Sequence, residues 1–175
     1  MAEAAAKDYS ALVLGRDSGL RSLQDIRDNR AAATALLCQA RREVRIVSCR
    51  LAPPVFDSEE IAAAVRTAIA GNRRFSLHVL IFDPKGLSGG GHRLLGLSGR
   101  LASFVQFRSP SPDREIAVRE FLVADGAGFL NRPVPERWEG VADFNDALRC
   151  RELLAEFEEI WATADQDTEL RRLSL

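Results

Sequence analysis

Apolar residues change their spacing several times along this chain, and each change marks an element. Ile26, Ala33, Leu36, Leu37 and Ala40 recur at helical spacing. Residues 44–49 then read as a short buried strand, which Pro53 and Pro54 close off. Asp57 with Glu60 three residues later predicts a helix start; Ile61, Val65, Ala68 and Ile69 share one face, and Gly71 suits the helix end. Residues 75–82 form the strongest strand, apolar on both faces, as a sheet covered on both sides requires. A glycine-rich loop over 85–91 leads to a short helix carrying Leu94, Leu95, Leu97 and Leu101, followed by a strand over 103–108. Beyond the turn at Pro110 and Pro112, residues 116–124, Asp125-Gly126 and 128–131 predict a hairpin. Residues 132–146 read as a polar loop. The last helix lines up Cys150, Leu153, Leu154, Phe157, Ile160 and Trp161 on one stripe. The expected order is α-β-α-β-α-β-β-β-α around one sheet: a single α/β domain over 26–163. Residues 1–25 are expected as a loosely ordered lead-in and 164–175 as a polar tail.

Composition narrows the class. The 175 residues are 46% hydrophobic and 28% charged, which suits a packed domain and excludes a wholly disordered chain. Folding at this length buries roughly 70% of the unfolded surface, enough for a core without staples. No apolar run approaches the roughly 20 residues that span a bilayer. The first ten residues hold Glu3 and Asp8 and no apolar stretch, so a cytoplasmic location without membrane insertion is expected. Cys38, Cys49 and Cys150 are odd in number and far apart, with no Cys-x-x-Cys and no neighbouring histidine. They read as reduced, small apolar side chains, and no metal is expected. The net charge of −1 hides an asymmetry: residues 1–119 carry 18 basic and 12 acidic side chains, residues 120–175 carry 6 and 13. A general nucleic-acid binder is usually net basic, so nucleic acid is expected to bind weakly at most.

Candidate chemistry concentrates after the strongest strand. Gly86 to Gly91 has the spacing of a phosphate-cradling loop between a strand and a helix. His92 and Arg93 stand where a nucleotide-binding loop needs lysine and then serine or threonine, which argues against nucleotide hydrolysis. A weaker anion site using Gly91, His92 and Arg93 is one reading; a surface loop whose glycines let the chain turn is the other. His78, inside a strand, reads as a satisfied buried residue. His92 is the better functional candidate, with Asp125 or Asp83 as a partner in acid–base chemistry. Glu59-Glu60 and Glu158-Glu159 read as solvated charge.

The hairpin carries a family resemblance. Val118-Arg-Glu-Phe-Leu-Val-Ala-Asp125-Gly126, followed by Gly128-Phe-Leu-Asn131, resembles the core hairpin of the phospholipase D superfamily. The motif there is His-x-Lys, four residues, then Asp: a phosphoryl nucleophile, a phosphate-binding cation and a supporting carboxylate. Aligned on Asp125, the histidine position holds Val118 and the lysine position holds Glu120. The strand-helix order over 26–163 and the closing Phe157-x-x-x-Trp161 resemble one half of such an enzyme. Gly91 to Leu95 with Arg100 and Arg108 resembles an uncharacterised bacterial family related to it, which adds these two arginines to the candidate anion-binding set. The resemblance implies a phospholipase D-like domain with a mixed sheet and helices on both faces. It also implies a homodimer, because single-half members pair to complete a site. Val118 cannot attack phosphorus, and an ionised Glu120 repels phosphate. The expectation is a non-catalytic interaction or anion-binding module, with a protein or a phosphate-containing ligand as partner and no cofactor. A relocated active site around His92 and Asp125, or a nucleic-acid surface on the arginines of 85–114, are the alternatives.

Overall fold

A computed structural model of the chain describes residues 7–87, 91–111, 116, 118–166 and 170. Elements run in the order β1 (Arg21–Leu23), α1 (Ile26–Gln39), β2 (Glu43–Ser48), α2 (Pro53–Phe56), α3 (Glu59–Gly71), β3 (Ser76–Ile81), a 3-10 turn (Pro84–Leu87), α4 (Arg93–Arg100), β4 (Val105–Arg108), β5 (Glu120–Ala124), β6 (Gly128–Arg132), β7 (Gly140–Asp143) and α5 (Ala147–Trp161). The strands form one seven-stranded mixed sheet in the order β1-β7-β6-β5-β2-β3-β4. β2, β3 and β4 are parallel, and the remaining pairs are antiparallel.

Apolar side chains leave both faces of this sheet, and each face has its own core. Val44 and Ile46 of β2, Leu77 and Val79 of β3 and Leu122 of β5 pack with residues of α1, α2, α3 and α4. Val47, Leu80, Phe121, Val123 and Phe129 turn the other way, under Leu153, Phe157 and Trp161 of α5. This is the two-sided cover that the apolar run over 75–82 demanded. Helix starts are set by short polar side chains. Asp25 accepts from the backbone N–H groups of Arg27 and Asp28, and Asp146 accepts from that of Arg149.

The structure differs from the sequence reading in several places. Ser58, not Asp57, caps α3 by accepting from Ile61 N; the Asp57 carboxylate instead holds the start of α4. Within the segment read as a lead-in, Tyr9 is 2% exposed in the core and β1 pairs with β7. The polar loop contains β7. In the expected polar tail, Ala164 and Leu170 are buried in the cores of opposite faces. Asp165 and Ser109 exchange two backbone hydrogen bonds beside the edge strand β4. Residues 88–90 of the glycine-rich loop and 112–115 of the proline turn lie outside the described residues.

Gly140 shows how closely β6 and β7 approach. A methyl group there would lie 2.6 Å from the backbone oxygen of Asn131 and 2.8 Å from Cγ of Arg132. Gly140→Ala is therefore expected to lower the unfolding free energy by about 1–3 kcal/mol, read from urea denaturation.

Candidate functional site

The parallel strands end together, and the hairpin strand β5 enters the sheet at the same end. The Glu120 side chain points into the α1 face of the sheet there and is 6% exposed. A carboxylate in such a place needs partners, and this one has several. Its Oε1 accepts from Ser48 Oγ at 3.0 Å and from Cys49 N at 3.1 Å. Its Oε2 forms an ion pair with Arg132, the residue directly opposite on β6. Arg132 is buried too; its guanidinium lies 4.4 Å from the centre of the Trp138 ring and donates to Arg137 O at 3.2 Å. Burial lowers its pKa to about 10, so it stays cationic at neutral pH. The space beside the pair, walled by Asn29, Val55, Phe56 and Leu130, amounts to about 10 Å³. That is room for about one water molecule.

A relay of hydrogen bonds runs from this pair to His92. Ser48 Oγ accepts from Leu51 N at 2.8 Å, and Leu51 O lies 3.2 Å from His92 Nε2. Leu51 has φ +49°, a left-handed conformation that its fixed backbone partners hold in place. A carbonyl can only accept, so Nε2 carries the proton and Nδ1 is the unprotonated nitrogen. Nδ1 is buried without a partner among the described residues. Burial pushes the His92 pKa down, against the opposing pull of Asp57. The ring is thus neutral and 6% exposed at the N-cap of α4.

Asp125 stands elsewhere. It sits at φ +54° in the β5–β6 turn, where its carboxylate accepts from the backbone N–H groups of Arg41, Arg42 and Glu43 at 2.8–3.0 Å. It braces the entry into β2, at the far end of that strand from Ser48 and Leu51. Six residues of β2 alone separate the two ends by roughly 16 Å. His92 and Asp125 therefore do not share a site. Asp83, the other suggested partner, holds Arg50 Nε at 3.0 Å. Asp125→Ala should cost about 1–2 kcal/mol of stability through the three lost hydrogen bonds, a loss that thermal unfolding will register.

The remaining candidates are also spread out. Arg93 opens α4 and pairs with Asp57 at 3.1 Å, its own N–H donating to the same carboxylate. Arg100 lies in the last turn of that helix, exposed and roughly 10 Å further along the axis. Arg108 belongs to the opposite face of the sheet; its guanidinium lies 4.3 Å from the centre of the Trp161 ring and donates to Trp161 O. Gly91 has φ +92° and faces open space. His78 stacks on Trp161, ring centres 4.5 Å apart, as a packed side chain inside β3. Val118 precedes β5 and is half-buried. Among the described residues no group of three or more His, Cys, Asp or Glu side chains could hold a metal ion. None of their helices is long and apolar enough to cross a membrane.

Arg132 is the residue that the sequence reading missed, because 132 fell in the presumed polar loop. The signal was available: a hairpin turning at Asp125-Gly126 with Ala124 opposite Gly128 brings 132 opposite 120.

The family described as "Domain of unknown function (DUF7931)" matches residues 25–173. No curated protein matches the chain. Among solved structures the chain is similar to Nuc, a phospholipase D family member from Salmonella typhimurium. The two share 12% identity over 86% of this chain and 99% of that one, with a TM-score of 0.59. NucT from Helicobacter pylori is similar at 11% identity over 86% and 98%, with a TM-score of 0.55. TrmBL2, an archaeal chromatin protein with a novel mode of DNA binding, is similar at 10% identity over 91% of this chain and 57% of that one, with a TM-score of 0.62. At these identities the likeness shows the fold, and that fold is phospholipase D-like.

Proposed function

The chain belongs to the family described as Domain of unknown function (DUF7931), and from that membership and its phospholipase D-like fold we propose a non-catalytic domain that serves as an interaction or anion-binding module. One observation carries the reading: Glu120, at the position where the resemblance requires a phosphate-binding lysine, is locked in a buried ion pair with Arg132. Phosphodiester transfer needs a nucleophile and a cation where negative charge gathers. Val118 supplies no nucleophile, and the one cation inside the pair is already neutralised by Glu120. The arginines around this end follow the same pattern: Arg50 holds Asp83, Arg93 holds Asp57 and Arg119 holds Glu156. A carboxylate already offsets the charge of each of them, which favours a protein partner over a small anion.

The homodimer belongs to this reading, with the Val118–Glu120 region towards the two-fold axis; light scattering across a concentration series tests it, and a persistent monomer defeats it. The likeness to Nuc and NucT supports the alternative of an enzyme only through the fold, and the separation of His92 from Asp125 counts against the pairing of those two residues as acid and base. Purified protein is expected to hydrolyse neither bis(4-nitrophenyl) phosphate nor single-stranded DNA above background. Turnover in the parent that disappears in Glu120→Ala or Val118→Ala would overturn the proposal. Binding to labelled single-stranded or duplex DNA should be weak and fade as salt rises.

A further inference from the structure

Cations collect at the end of the sheet opposite Glu120. The parallel strands β2, β3 and β4 start side by side there, and arginines precede each of them. Arg41 and Arg42 stand before β2, Arg73 and Arg74 before β3, and Arg100 ends α4, before β4. All five are exposed. Two strand spacings, roughly 10 Å, separate the first loop from the third. We infer that this arginine end binds a short acidic segment of a partner protein, whose carboxylate side chains seat on the guanidinium groups. The inference rests on the interaction-module reading for the class of partner: at the Glu120 end the arginines already hold carboxylates, and here they hold none.

The surface is fixed before a partner arrives. Asn72 ties the first two loops together: its Nδ2 donates to Arg41 O at 2.9 Å and its Oδ1 accepts from Arg74 N at 3.0 Å. Ser76 N donates to Arg42 O at 3.1 Å, and the Arg73 guanidinium lies 5.7 Å from the centre of the Phe104 ring, just ahead of β4. Part of the charge serves the fold, since Arg41 donates to Cys38 O and Ala40 O at the end of α1, and Arg42 donates to Asp125 O. These acceptors are neutral carbonyl groups, so the positive charges remain. Among the described residues none of the five arginines pairs with a carboxylate, and the side chains of Arg74 and Arg100 make no hydrogen bond.

Nearby acids do not cancel this charge. Glu43 and Glu158 lie on Arg45, at 3.0 and 3.6 Å. Asp125 spends its carboxylate on the backbone N–H groups of residues 41–43, and Glu60 acts near Cys38; against five arginines these two leave the excess positive. Asp143 and Asp146 belong to the end of β7 and the start of α5, and β7 lies three strand spacings, roughly 14 Å, from β2. That exceeds the screening length of about 8 Å at physiological ionic strength.

The chemistry of the surface selects the ligand. The loop over 41–43 already holds one carboxylate, and arginine matches that group with two parallel N–H donors. A single-stranded nucleic acid needs aromatic faces for its bases; here Phe75 is buried and Phe104 lies under Arg73. A long polyanion would also extend beyond the arginines towards Asp143 and Asp146, whereas a short acidic segment need not.

Fluorescence anisotropy of the full chain with fluorescein-labelled octaglutamate tests the inference, with octaglutamine and octathymidylate as comparisons. Octaglutamate should bind at low salt and weaken as salt rises, and both comparisons should bind far less tightly. Arg74→Glu with Arg100→Glu should reduce its affinity about tenfold or more. Arg30→Glu with Arg151→Glu, the same charge change at exposed positions elsewhere, should reduce it far less. Should the first double variant lose its circular dichroism signal, Arg74→Gln with Arg100→Gln, expected to weaken binding about threefold, decides instead. No binding of octaglutamate, equal losses in the two reversed doubles, or either comparison binding as tightly as octaglutamate would overturn the inference. Phosphodiester hydrolysis plays no part in these readouts, so the reading of Glu120 stands or falls on its own experiment.

Discussion

Arg132→Met should lower the unfolding free energy by about 3–5 kcal/mol, because it leaves the Glu120 carboxylate buried without its counter-charge. Glu120 keeps its hydrogen bonds from Ser48 Oγ and Cys49 N, but neither donor supplies a positive charge. The cation also loses its place over Trp138, a contact worth about 1 kcal/mol or more when desolvated. Glu120→Gln should be costly for the mirror-image reason, stranding a guanidinium that burial already disfavours. The double change Glu120→Met with Arg132→Met should recover most of the loss, since a well-packed apolar pair often matches a buried ion pair in stability. Urea denaturation of the four proteins closes a double-mutant cycle, and strong coupling is the expected result. Arg132→Met unfolding within experimental error of the parent would mean that water reaches the pair and that the site is open.

Acidification should destabilise the protein well before most carboxylates titrate. His78 lies in β3, stacked on Trp161, and its pKa is lowered from 6.5 to about 4, first by burial and then by the charges of Arg45 and Arg108. The fold thus holds the neutral ring, whereas the unfolded chain takes up a proton at the ordinary pKa. The stability from this group is complete above about pH 6.5 and is lost as pH falls towards 4. Between pH 7.5 and 5 the loss amounts to at most about 2 kcal/mol. His92, whose pKa burial also lowers, adds to the effect in the same direction. Melting temperature followed from pH 7.5 to 5 will show the decline. His78→Phe, which preserves an aromatic face against Trp161, should remove much of it. A melting temperature that stays level over this range, or an unchanged slope in His78→Phe, would contradict the assignment.

Asp125 shows how a motif residue can serve the fold. In the family pattern this carboxylate supports the reaction centre. Here it is committed to three successive backbone N–H groups at the start of β2, at the end of β5 opposite Glu120. The turn uses that carboxylate, while Val118, just before β5, and Glu120, its first residue, stand at the other two positions of the pattern. A match at Asp125 is thus informative about architecture and silent about catalysis.

Long elements were legible in the sequence because they bury a repeating face. Helices α1, α3 and α5 show helical spacing of apolar residues, and β3 carries apolar residues on both faces despite Ser76 and His78, since each packs against a core. Strands β1 and β7 were not legible: three and four residues are too few to display a period, and pairing partners in the sheet hold them in place. The sequence by itself determined an α/β domain, the hairpin and the absence of a nucleophile and lysine from its motif. Only the tertiary structure decided where the Glu120 side chain goes and what it meets. The cross-strand register brings Arg132 onto Glu120, β2 carries Ser48 beneath them, and burial makes the pair binding on both partners. It also separated His92 from Asp125, because a strand extends by about 3.3 Å per residue and the two occupy opposite ends of one. Charge and hydrogen-bonding capacity are properties of residues along a chain, but whether a charge is neutralised or exposed depends on which distant segment the sheet sets beside it.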